Sequence, residues 1–161
     1  MKKIIILVCA CLTLLGCQTT AQKSPEALAI ESVYKIDQSI VANSKTIAEV
    51  VSKAESISLA GCPQDFVKAY KANIDAWRKM ADIERQMYAS GNIAKASADI
   101  SRFLSDYQTN PSQAGVRLKK DWPALSNEID TALGDITKTF TDYTSIGTEY
   151  NVVYYRQKNF F

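Results

Sequence analysis

From Ser24 onward the apolar residues of this chain recur three and four positions apart, over and over, as far as Val153. That period marks one face of an α-helix, because successive side chains on a strand alternate by two. The one stretch open to a strand reading, Val152 to Tyr155, is too short to pair alone. An all-α fold is therefore expected.

Ser24-Pro25-Glu26 supplies a helix N-cap, a first helical residue and a first-turn acid. After it Ala29, Val33, Ile36, Ile40, Asn43, Ile47, Val50, Ala54 and Ile57 form a seven-residue repeat without Pro or Gly. The spacing predicts one helix from Glu26 to Ala60, about 35 residues and roughly 50 Å long, closed by Gly61. Asn43 is the polar member of its seam, a place where such a residue sets register or makes an interhelical hydrogen bond. Cys62-Pro63-Gln64-Asp65 restarts the pattern. Phe66, Val67, Tyr70, Ile74, Trp77, Ala81 and Tyr88 then share a face, with Met80, Ile83 and Met87 at its edge.

Ser90-Gly91-Asn92 is a turn signal, and Ile93, Ser97, Ile100, Phe103, Leu104 and Tyr107 mark a shorter third helix. Thr109 to Gly115 reads as a loop, and Val116 to Lys120 as at most one helical turn. Asp121-Trp122-Pro123 opens a last helix with Leu125, Ile129, Ala132, Ile136, Thr139, Tyr143, Ile146, Tyr150 and Val153 on its face. Gly134 and Gly147 lie inside it, each costing up to ~1 kcal/mol relative to Ala, so they mark a close contact or a bend. The expected architecture is an antiparallel four-helix bundle, up-down-up-down, with long first and last helices and a shorter third.

The N-terminus is of another kind. Lys2 and Lys3 precede an apolar run from Ile4 to Leu15, and Gly16 is the small residue of a cleavage site, which together make a secretory signal. The run is about a dozen residues, against the roughly 20 needed to span a bilayer. Leu14-Leu15-Gly16-Cys17 resembles the lipobox of bacterial lipoprotein precursors. The resemblance covers residues 1–18 and implies acylation of the Cys17 thiol with cleavage between Gly16 and Cys17. With Gln18 rather than Asp next, it also implies sorting to the periplasmic face of the outer membrane. Two or more acyl chains at ~0.8 kcal/mol per buried methylene hold a protein stably. The polar stretch Gln18 to Lys23 reaches at most about 20 Å. The chain thus divides into a signal (1–16), a lipidated Cys17 with a short tether (17–23) and a helical domain (24–161).

Cleavage would remove Lys2 and Lys3, leaving 17 of the 19 basic residues against 17 acidic ones, a neutral balance that gives nucleic acid no basic surface. Of the four cysteines, Cys9 and Cys11 leave with the signal and Cys17 takes lipid. Cys62 then has no intramolecular partner. A small, mostly buried apolar residue at a loop-to-helix junction, an intermolecular disulfide and a reactive thiol are the readings open to it.

The chain has no His, which removes Cys-His dyads, His-rich zinc sites and the Glu-x-x-His pairs of di-iron bundles. No metal, no cofactor and no enzymatic activity are expected. Tyr70, Trp77, Glu84, Phe103 and Tyr143 are the candidate lining of a pocket in the bundle, where Glu84 is either a buried acid or an edge residue paired with a cation. Three readings are open to Asn159-Phe160-Phe161: it frays, packs on the bundle or offers an extended segment to a PDZ-like partner.

Two functions follow as expectations. One is a membrane-held, noncatalytic interaction module that meets another envelope protein. The alternative is a carrier or sensor with an apolar small molecule in its core, which requires a cavity of at least ~300 Å³ near Trp77. Globomycin, which blocks lipoprotein signal cleavage, is expected to make the uncut precursor accumulate on immunoblots; unchanged processing would contradict the lipobox reading.

Overall fold

A computed structural model describes residues 23–155. The signal, Gly16, Cys17 and Asn159 to Phe161 lie outside these residues. Among the described residues are six α-helices and no strand. They are α1 (Pro25–Asp37), α2 (Ile47–Glu55), α3 (Gln64–Ala89), α4 (Ile93–Thr109), α5 (Pro111–Asp121) and α6 (Ser126–Glu149), with a single 3₁₀ turn at Pro123–Leu125 before α6.

The longest packing seam joins α3 to α6; α6 also meets α5, α5 meets α4, and α4 returns to α3. α2 lies against α3. α1 reaches both members of the main seam through Tyr34, whose ring meets Phe66 of α3 and Tyr143 of α6. With neighbours on several sides, α3 buries a face wider than a simple stripe. Met80, Ile83 and Met87, expected at its edge, are buried with Phe66, Tyr70 and Trp77, and so are Asn73 and Glu84.

The first long helix predicted from the repeat is in fact two. Thr46 Oγ1 accepts a hydrogen bond from Glu49 N (3.1 Å), and Glu49 Oε2 accepts one from Lys45 N (2.9 Å), a capping arrangement that starts a helix afresh. Upstream, Ser39 and Ser44 donate their hydroxyls to the carbonyls of Ile36 and Ile40 while the chain passes through turns, local bonds that compete with helix continuation. Asn43 consequently occupies no seam. It is exposed, and its carbonyl accepts from Lys53 Nζ. The buried face of α1 is Ala27, Ile30, Val33 and Tyr34, leaving Ile36 49% exposed.

The expected loop over Thr109 to Gly115 also gives way. Asn110 ends α4 and caps α5, its side chain accepting from Gln113 N (3.1 Å), while Pro111 takes the first helical position where its missing N–H costs nothing. Four expected helices therefore become six. In α4 the inner face runs through Ala96 and Asp99, whereas Ile93 and Ser97 point outward.

α6 closes in a Schellman turn. Asn151 adopts φ 60°, Val152 N donates to Gly147 O (2.9 Å) and Asn151 N to Thr148 O (2.9 Å). The turn sends the chain back over the bundle, with Val152 buried and Tyr154 against Phe140. Of the two glycines in α6, Gly147 is the close contact: a Cβ there would collide with Tyr34 Oη, whereas one at Gly134 would meet nothing within 4 Å. Gly147→Ala is expected to cost about 1–3 kcal/mol through overpacking, and Gly134→Ala to add up to ~1 kcal/mol through helix propensity. Urea denaturation of the two variants checks this, and equal responses would contradict it.

Candidate functional site

Asp37 is the last residue of α1, and its carboxylate gathers three phenols. Tyr70 of α3 donates to Oδ1 (2.7 Å), while Tyr143 of α6 (3.0 Å) and Tyr154 beyond α6 (2.9 Å) donate to Oδ2. Tyr34, one turn before Asp37, donates instead to the Tyr143 carbonyl (2.9 Å). The rings pack edge to face, with centroids 4.9 Å apart for Tyr34 and Tyr154 and 5.3 Å for Tyr70 and Tyr143, the geometry that aligns a ring's positive edge with its neighbour's negative face. Burial, and then the Asp37 charge, push the phenols of Tyr34, Tyr70 and Tyr143 well above the usual tyrosine range. They remain donors at any physiological pH.

Beside this cluster lies a cavity of about 60 Å³, bounded by Asp37, Asn73, Trp77, Tyr107, Tyr143 and Tyr154 among others. It is room for about two waters. The chamber of ~300 Å³ that a small-molecule site occupies is absent near Trp77 because ring edges fill the space: Tyr107 stands edge-on to Trp77 (5.2 Å) and against Phe103 (5.5 Å). Asn73 closes the seam by donating Nδ2 to Ile136 O (3.2 Å) and Thr139 Oγ1 (2.9 Å).

The five candidate lining residues are all buried, yet they do not share one pocket. Tyr70 and Tyr143 meet at Asp37, and Trp77 and Phe103 meet through Tyr107. Glu84 lies under the start of α2, where Oε2 accepts from Ala48 N (3.0 Å) with Ile47 N also bonded to the carboxylate. It is thus a buried acid at a helix N-terminus rather than an edge residue paired with a cation. Burial pushes its carboxyl above the usual range, aided by the charge of Glu49 and opposed by the two backbone N–H groups. Oε1 has no hydrogen-bond partner within the protein. The important residues that sequence reasoning passed over are Asp37, Tyr154 and Asn73. Only Asn73 carried a signal, since it shares the 73-77-80-84 stripe of α3.

A larger concavity than the 60 Å³ core cavity is external. A groove of about 670 Å³ runs between α5 and α6, with Gly115, Val116 and Lys119 on one wall and Leu133, Thr137 and Lys138 on the other. Val116 is 62% exposed. The groove's lysines are matched inside its walls, Lys119 with Asp130 (2.5 Å) and Lys138 with Asp142 (2.7 Å). Cys62 is half-buried, and burial pushes its thiol up, which disfavours the nucleophilic thiolate. Among the described residues no Cys, Asp or Glu side chains group as metal ligands would, and no helix is long and apolar enough to cross a membrane.

Comparison with protein-family models, curated proteins and solved structures finds no match to this chain.

The raised Glu84 carboxyl has a definite pH sign. A folded-state value above the unfolded one favours the folded chain at pH below the unfolded-state range, and that contribution is lost as pH rises through the folded value. Glu84→Gln keeps an acceptor for Ala48 N without the charge. Its stability relative to the native chain is expected to rise from pH 4 to pH 8 in urea titrations; a difference independent of pH would contradict this assignment.

Proposed function

We propose that this chain is a lipid-anchored, noncatalytic interaction module of the bacterial envelope. In this reading Cys17 carries the acyl chains on the periplasmic face of the outer membrane, and the bundle presents the α5–α6 groove to another envelope protein. The observation that carries it is the contrast in space, about 60 Å³ within the core against about 670 Å³ in the open groove. A filled interior leaves recognition to the surface.

Within this proposal α3, α4, α5 and α6 act as an antiparallel four-helix bundle whose closed circuit stiffens the groove. The tether holds the domain start at Ser24 within about 20 Å of the lipid, so the partner is itself membrane-associated or close to the membrane. Lys23 pairs with Glu31 (2.6 Å), which turns the end of that tether along α1. Both groove lysines are engaged by aspartates of α6, so recognition relies on shape and apolar contact more than on net charge.

In vivo photocrosslinking from positions 116 and 137 is expected to give one shared adduct by mass spectrometry, with none from position 101 on the exposed face of α4. Val116→Asp is expected to abolish the adduct formed from position 137. Equal labelling from 101, or a groove adduct indifferent to Val116→Asp, would overturn the proposal.

A further inference from the structure

α1 is apolar on two sides. It buries Ala27, Ile30, Val33 and Tyr34, and the helical period places Pro25, Leu28, Ser32 and Ile36 on the opposite side, with Lys35 in line with Leu28. All five are exposed, Leu28 by 54%. A surface helix ordinarily gives its outer side to charged residues. Here the one acid between Leu28 and Ile36 is Glu31, at the border of that side, and Lys23 pairs with it (2.6 Å).

Single exposed apolar side chains are ordinary on a protein surface, so their distribution matters more than their presence. Of the six large ones exposed among the described residues, Leu28 and Ile36 lie on α1, and Val153 and Tyr155 lie on the segment whose Tyr154 ring stands edge-on to Tyr34 of α1. Only Ile93 and Val116 are elsewhere. The outer side of α1 therefore has the composition of a covered face.

The length of the tether says what covers it. With Cys17 acylated, Gln18 to Lys23 keeps the start of α1 within about 20 Å of the lipid, and α1 is itself only about 20 Å long. The bond from Lys23 to Glu31 holds the end of the tether at the border of the outer side. We propose that α1 lies along the lipid–water boundary, with Leu28 and Ile36, about 12 Å apart on the helix axis, inserted below the headgroups and the Lys35 ammonium among the lipid phosphates. This inference rests on the lipid anchor proposed above and adds the face that meets the bilayer. The acyl chains hold the protein to the membrane, and the helix sets the angle at which the α5–α6 groove is presented.

The test uses the full chain processed in cells and placed in vesicles of phosphatidylethanolamine and phosphatidylglycerol, with Cys62→Ser so that an introduced thiol alone takes a nitroxide. A nitroxide at Ser32→Cys is expected to favour collision with oxygen over a water-soluble nickel complex several-fold more than one at Ser101→Cys on α4. Adding Leu28→Glu and Ile36→Glu is expected to bring position 32 to the level of 101, while flotation shows the protein still bound to vesicles through its acyl chains. Equal ratios at 32 and 101 in acylated, floating protein would overturn this inference and leave the anchor standing, as would a ratio at 32 indifferent to the two glutamates. A nitroxide at 32 shielded from both reagents would identify a second copy of the chain over this face, and would overturn it too. A mature chain whose mass shows no acyl groups would overturn the anchor and this inference together. The comparison of 32 with 101 is made without the glutamates, so it decides even if the doubly charged variant does not fold.

Discussion

One carboxylate draws four segments of this protein together. Asp37 closes α1, and the phenols that donate to it come from α3, α6 and the segment after α6. An ion so placed, half-buried among rings, has to be compensated by hydrogen bonds, because a carboxylate stripped of water without donors is costly. The tyrosines meet that requirement and in doing so set where α1 lies. The fit is tight enough that Tyr34 needs a glycine opposite it, and Gly147 is also the carbonyl that accepts Val152 N in the turn that brings Tyr154 back. Position of the first helix, end of the last helix and return of the chain are thus one linked arrangement.

Away from Asp37, further buried polar groups fasten other joints. Asn73 holds α3 to α6. Asp99, 6% exposed, accepts from Trp122 Nε1 (2.9 Å) and Lys95 (2.7 Å) and pairs with Arg102, which also reaches Asp121. Burial works to raise the Asp99 carboxyl, but the bonds from Lys95 and Trp122 and the charges of Lys95 and Arg102 outweigh it and hold the group below its ordinary range. Glu84 is the contrasting case. Its donors are two uncharged N–H groups of α2, and burial prevails. The two carboxyls therefore shift in opposite directions, Asp99 with cations beside it and Glu84 with stronger desolvation and only uncharged donors.

The residues that were legible in the sequence are those whose role is local or periodic. Ser24-Pro25 opens α1 as read, and Phe66, Tyr70, Ile74 and Trp77 of α3 are buried where their spacing places them, whereas beyond Trp77 the buried stripe runs through Met80, Ile83 and Met87 rather than Ala81 and Tyr88. The repeat of threes and fours continues smoothly through residues 38–46 and so suggests one long first helix, while the restart lies in Thr46 and Glu49, a capping pair that the apolar spacing does not register. Asn110-Pro111 reads as a loop by composition, although the same two residues make an N-cap and a first turn. Of the candidate lining, the four aromatic residues read as buried from their helical spacing, while the burial of Glu84 beneath α2 and the division of the five among two ring contacts and a helix cap depend on tertiary contacts.

Sequence alone determined that the described chain is helical, where most of its apolar faces lie, and that no His-based chemistry is available, since each depends on residue identity and short-range spacing. Tertiary structure decided which residues 33, 106 and 117 positions distant from Asp37 would bond to it, and how much room stays beside them. Those contacts depend on the angle at which helices cross and on the turn at Asn151. A three-four repeat carries no information about either, because a given apolar stripe packs acceptably against many others and only the satisfaction of buried polar groups selects among them.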